Sequence, residues 1–217
     1  MSGPWIVEHD AEQVPGLPGR LPEGEAILWQ GAPGWRSFAR HGFHLPQLGL
    51  YFGLLLAWYV AESLASGTAP WTVLLGTARL AGLAAAALAL LAGLAALVAR
   101  TTLYTITTRR VVMRVGMALP ITLNLPFRLI DAAAVRLRPD GSGDIALTLA
   151  AGERVAFLTL WPHVRPWRLA RPVPMLRALP DAGQAAAVLG RALALRAYMP
   201  ERATTVSAPV PAQAVAA

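Results

Sequence analysis

Two uncharged apolar stretches, Leu45 to Ala61 and Leu80 to Ala99, stand close together near the front of a chain whose later part is basic and rich in strand-forming residues. Crossing the hydrocarbon core of a bilayer as a helix takes about 20 apolar residues, with roughly 17 as the short limit. Both stretches qualify, so the pattern predicts a membrane hairpin with a soluble domain on one side. The first stretch reaches Ala65 if Glu62 sits at the interface, and Trp71 falls where the chain turns back. Starting the second span at Leu80 leaves Arg79 at the head-group edge rather than inside, where an arginine costs about 2.5 to 3.5 kcal/mol on insertion scales. Arg36 and Arg40 precede the first span and Arg100, Arg109, Arg110 and Arg114 follow the second, against Arg79 alone between them. Positive-inside bias therefore places both termini in the cytoplasm. A cleaved signal peptide is disfavoured, because the chain opens MSGPWIVEHDAEQ, acidic rather than basic, and the apolar run starts too late.

With 217 residues, the chain has room for about one soluble domain beside the hairpin. Every one of its 19 basic residues is arginine, which suits phosphate or carboxylate recognition, but coding bias that also enriches Ala, Gly and Pro accounts for it more simply. The absence of cysteine excludes disulfides, thiolate metal sites and cysteine nucleophiles. A net charge of +7 invites a nucleic-acid reading. For a domain tethered to a bilayer, however, the nearer anionic surface is the membrane itself, so no nucleic-acid partner is expected.

The segment before Pro46 is rich in Pro and Gly, with one short strand expected around Ala26 to Gln30. After the hairpin, Thr101 to Thr107 and Arg110 to Val115 are rich in β-branched residues and read as paired strands. Leu119 to Leu125, Ile130 to Leu137, Ile145 to Leu149 and Arg154 to Leu160 continue a run of short strands, with Asp140-Gly-Ser-Gly-Asp144 as a turn. This spacing points to a small sandwich or barrel. Pro162 to Pro180 cannot be regular helix, and a terminal helix begins near Asp181, with Gln184 three residues on, and ends at Pro200. That helix closes the end of its own sandwich or lies on the bilayer; both fit its apolar stripe. The parts are thus residues 1–44, feeding the domain; 45–99, the hairpin, with spans near 45–65 and 80–99; 100–200, the cytoplasmic domain; and 201–217, a tail expected to be disordered.

Little in the chain suggests catalysis: it contains no P-loop, GxSxG, HExxH or post-strand GxGxxG, so no enzyme is expected. His41 and His44 are three apart and could ligate a metal or a pigment magnesium, though without carboxylate partners they read better as interfacial imidazoles. Asp140, Ser142 and Asp144 mimic the start of a calcium loop, but Ile145 and Ala151 occupy the positions that need Gly and a bidentate Glu. Gly49 and Gly53 in the first span, and Ala85, Ala89 and Gly93 in the second, are spaced for close helix packing, either within the hairpin or against another membrane helix. The most unusual stretch is LWPHVRPWRLARPVPMLRALP, where Trp161, Trp167 and Met175 alternate with Arg165, Arg168, Arg171 and Arg177 on a proline-stiffened backbone. It is either a partner-binding strap or a rigid strap packed over the domain's own sheet.

The pieces VPGLPGRLPEGEAILWQGAPGW, TTLYTITTRRVVMRVGMALPITLNLPF, GSGDI and WPHVRPWRLARPVPMLRALP, in this order, resemble the PuhB family of photosynthetic complex assembly proteins, and Tyr104 to Arg110 resembles bacterial pleckstrin-homology-like (PH-like) domains that follow a membrane hairpin. The resemblance implies an α+β membrane protein: a two-helix transmembrane hairpin plus a seven-stranded PH-like β-sandwich or barrel capped by a C-terminal helix. It further implies an assembly factor of the inner, intracytoplasmic membrane of purple bacteria, with reaction-centre and light-harvesting 1 polypeptides or other assembly factors as partners, membrane lipids around it and homo-oligomers allowed. No bound cofactor is expected, transient contact with bacteriochlorophyll being left open. The alternative expectation is a PH-like module that binds anionic lipid or an unrelated membrane protein.

Overall fold

The computed structural model describes Leu17 and residues 21–116, 121–150, 155–166 and 170–198. The acidic start, the tail beyond Pro200, Trp167, Arg168 and Arg154 lie outside the described residues. After strand β1 (Ile27–Gly31), a single turn α1 (Trp35–Ser37) runs into a π-helical segment, Phe38–Gly42, and then into the long helix α2 (Leu45–Ala65). Pro46 is tolerated in the first turn of α2 because the N–H it lacks would have no helical acceptor there. The helix stops where Gly67 takes φ +72°, a left-handed conformation that costs glycine nothing, and Pro70 opens helix α3 (Pro70–Thr101).

Helix α3 begins ten residues before the expected Leu80, so Arg79 lies within it rather than at its edge. The register shows where along the hairpin it lies. Tyr59 lies against Gly76, and Phe52, Leu55 and Leu56 share a crevice of about 320 Å³ with Leu80, Leu83 and Ala84. Arg79 is therefore level with Ala57, about 12 Å from the Ala65 end of α2 at 1.5 Å per residue. The last turns of α3 pass beyond the start of α2 and are used by the domain: Ala95 and Val98 are buried with Phe38, Ala39 and Ala178, and Ala99 is buried as well. The helix thus runs past both ends of the expected 80–99 stretch, and its last turns carry the packed joint with the domain.

The small residues are not at the hairpin contact. Gly53, Ala85, Ala89 and Gly93 are exposed, and a Cβ built on Gly49, Gly53 or Gly93 meets nothing within 4 Å. The two helices meet instead through larger side chains and through Gly76, where an added Cβ would overlap the Tyr59 hydroxyl. Gly76→Leu is accordingly expected to wedge the helices apart and cost about 1–3 kcal/mol, whereas Gly93→Leu leaves the hairpin unchanged; thermal unfolding in detergent reads the difference.

Seven strands form two antiparallel sheets among the described residues. β1, β2 (Leu103–Thr107), β3 (Arg110–Val115) and β4 (Ile121–Pro126) make one in that order; β5 (Ile130–Leu137), β6 (Gly143–Leu149) and β7 (Met175–Leu179) make the other. Tyr104, Ile106, Val111 and Met113 of the first sheet pack with Ile145, Leu147, Leu176 and Leu179 of the second. The C-terminal helix α5 (Ala182–Tyr198) closes the core with Ala185, Leu189 and Ala192, so it serves as the cap of the sandwich. Two local expectations differ. The stretch expected as a strand up to Leu160 ends in a single helical turn, α4 (Phe157–Leu160), and the proline-rich stretch contains β7, which starts directly after Pro174 has bridged to Val164.

Candidate functional site

Three features are candidates: the strap, the outer face of the hairpin and a groove rimmed by arginine. The strap divides in two. Pro162, His163 and Val164, and then Val173 to Met175, are buried, while Trp161, Arg165 and Arg171 face outward. Met175 is 7% exposed in β7, and Arg177 reaches inward: its Nη1 donates to the Pro162 carbonyl at 3.0 Å, its Nη2 to that of His41 at 3.5 Å, and the guanidinium lies over the Phe38 ring. Burial lowers the Arg177 pKa, with Asp144 opposing the shift. Arg177 thus holds the joint together while Met175 packs with Ala146 and Val173, and the outward positions left for a partner among the described residues of the strap are Trp161, set edge-on to Phe43, with Arg165 and Arg171.

At the centre of the joint is His163, 1% exposed. Tyr104 Oη accepts from the Arg177 backbone N–H at 3.2 Å, which leaves its own hydrogen free to donate to His163 Nδ1 at 2.6 Å when the ring carries its proton on Nε2. The other ring nitrogen, Nε2, then carries the proton and donates to Thr102 Oγ1 at 3.1 Å. Burial first, and then the Arg177 charge, push the imidazole pKa down to about 3. Burial likewise pushes the Tyr104 phenol up. Thr102 follows the last residue of α3, Tyr104 is in β2 and His163 in the strap, so one neutral network ties the hairpin to the domain.

The 140–144 turn behaves as a hairpin turn. Asp140 Oδ1 accepts from the backbone N–H and hydroxyl of Ser142, while Asp144 pairs with Arg138 and accepts from Ala178 N–H at 2.7 Å. Ala178 takes φ 54°, and its carbonyl accepts from Gly34 N–H at 2.8 Å, fastening the segment before α2 to β7. His41 lies in the π-helical segment, its pKa lowered by burial and then by Arg138, and His44 is exposed at the start of α2. No group of three or more His, Asp or Glu able to hold a metal occurs among the described residues.

The groove lies at the end of β2 remote from α3. It has a volume of about 710 Å³, with Arg109, Arg110, Arg128 and Arg196 on its rim, Phe127 and Ala192 in its floor, and Leu28 and Leu195 beside it, 43% and 65% exposed. Arg110 is already engaged: its Nε and Nη2 donate to the Glu25 carboxylate at 2.8 and 2.7 Å, and Thr107 Oγ1 donates to the same group. Burial raises the Glu25 pKa, but the hydrogen bonds from Arg110 and Thr107 outweigh it and hold the carboxyl below its ordinary range. Glu25 therefore stabilises the fold above the ordinary carboxylate pKa, and this contribution is lost as pH falls through the lower folded value. Glu25→Ala is expected to cost about 2 kcal/mol in thermal unfolding at pH 7 and to be nearly silent in strong acid. The lining residues come from β1, β3, β4, the turn at 127–129 and α5, and the nearest sequence cue was the Arg109-Arg110 turn.

A family model described as Bacterial PH domain matches residues 50–193, from the first long helix to the C-terminal helix. The chain belongs to the bacterial PH domain family. The chain is also 36% identical, over 217 residues, to a Rhodobacter capsulatus protein described as an uncharacterized 23.7 kDa protein in the puhA 5′ region, the match covering 96% of this chain and 97% of the relative. No solved structure matches the chain. In this bacterial PH protein the sheets, α5 and the two long apolar helices stand as the family and the resemblance implied, and both helices are long and apolar enough to cross a membrane.

Proposed function

We propose that this protein is a non-enzymatic assembly factor for the reaction centre and light-harvesting 1 core of purple bacteria. In this reading α2 and α3 cross the inner membrane, both termini are cytoplasmic, and the hairpin shelters a helix of an incoming subunit while the PH-like domain and the outward strap residues engage its extramembrane part. The supporting observation is the uncovered outer face of the hairpin: small residues open to close approach, and Arg79, exposed at depth with no partner among the described residues. The puhA-region relative agrees with the PuhB resemblance. An arginine at that depth opposes insertion by about 2.5 to 3.5 kcal/mol. A polar acceptor or carboxylate on the client helix would offset that cost, which gives Arg79 a role as handle.

Arg79→Leu is expected to insert at least as well as the wild type yet recover at least fivefold less client on affinity purification, with Arg79→Lys intermediate. Alkaline carbonate extraction checks insertion separately. Unchanged client recovery from an inserted Arg79→Leu protein would remove Arg79 from the account.

A further inference from the structure

We infer that the groove at the far end of β2 is a binding site for an acidic, partly apolar peptide segment of a protein partner. Its chemistry is selective. Arg110 is paired with Glu25, whose carboxylate also feels the Arg109 charge, which leaves Arg128 and Arg196 on the rim with no carboxylate partner among the described residues. The floor is apolar, with Phe127 3% exposed, and Leu28 and Leu195 stand open beside the cations. Separated guanidiniums around an apolar floor match a chain that alternates carboxylates with hydrocarbon side chains.

Two competing ligands fit less well. One wall of the groove is the last turn of α5, which ends at Tyr198, and the negative end of a helix dipole opposes a concentrated dianion such as a phosphate monoester. A lipid head group of the membrane that holds the hairpin would have to be reached from the opposite end of the domain: β2 starts beside the end of α3, and the groove begins at Thr108 and Arg109, about 16 Å along the strand. The ligand thus belongs to an extramembrane protein segment. The inference does not depend on the hairpin's client, because the groove is built wholly from the domain.

The full-length protein in detergent, with a labelled decapeptide alternating Glu and Leu, tests this by fluorescence anisotropy. The Glu peptide is expected to bind, weaken steeply with salt, and exceed by at least tenfold a counterpart that keeps every Leu and has each Glu replaced by Gln. The Arg128→Ala/Arg196→Ala double variant should bind the Glu peptide at least tenfold more weakly. The Arg165→Ala/Arg171→Ala variant, which removes the same charge from the exposed strap, should change binding less than twofold. Equal losses in the two double variants would mean diffuse charge attraction and would overturn the inference. So would dependence on Arg128 and Arg196 seen only with inositol hexakisphosphate or phosphatidylglycerol vesicles.

Discussion

Lowering the pH from 7 to 5 is expected to cost this protein about 2 kcal/mol through His163 alone. The folded imidazole is held neutral with a pKa of about 3, while in the unfolded chain it titrates near 6.5. Between those values the unfolded state takes up a proton that the folded state refuses. Stability is therefore full above the unfolded pKa and falls as pH drops towards the folded one. The cause is structural: protonating Nδ1 would turn the Tyr104 hydroxyl hydrogen away from its acceptor, at a ring only 1% exposed and beside the Arg177 guanidinium. His163→Gln removes the titration and is expected to flatten this part of the pH profile, whatever it costs at pH 7. Thermal midpoints of wild type and variant, measured in the same detergent at both pH values, give the comparison. Parallel profiles would mean that His163 is accessible to protons in the folded state.

Gly143→Ala is expected to destabilise the domain by about 3 kcal/mol, at the upper end of overpacking costs. A Cβ there would lie 2.5 Å from the Arg136 carbonyl oxygen and 2.7 Å from the Ala182 Cβ. Neither neighbour can yield: the first belongs to the β5–β6 ladder, in which Leu137 faces Gly143, and the second opens α5 in the core. Gly141 provides the contrast. Its φ is +77° and its nearest contact is 3.9 Å away, so Gly141→Asn should cost less than about 1 kcal/mol. Chemical unfolding of both variants separates crowding from backbone strain.

Much of the fold was legible because local chemistry and burial agree in it. β3 and β5 stand at the residues read from β-branched content and alternation, and α2 ends at Ala65 as the hydropathy suggested. What escaped the sequence depended on distant partners. β7 is hidden by Pro172 and Pro174, and its pairing with β6 is visible only once the sandwich exists. Arg79 could not be placed because hydropathy cannot tell that Ala95 and Val98, as apolar as any membrane segment, are spent on the domain. The strap illustrates the same limit: its Trp and Arg composition suits an interface and a joint equally, and the structure turns Met175 and Arg177 inward while leaving Trp161, Arg165 and Arg171 out. The groove was illegible because Glu25, Arg109, Arg128 and Arg196 converge only through tertiary packing.

The central claim, that an open hairpin face and a tethered domain handle incoming core-complex subunits, is tested most directly by purifying the tagged protein from phototrophically grown membranes in mild detergent. Both the polypeptides recovered and the near-infrared absorption of the eluate would be recorded. The account predicts reaction-centre or light-harvesting 1 polypeptides in sub-stoichiometric amounts. An eluate without them, from membranes in which the tagged protein is inserted and folded, would contradict it.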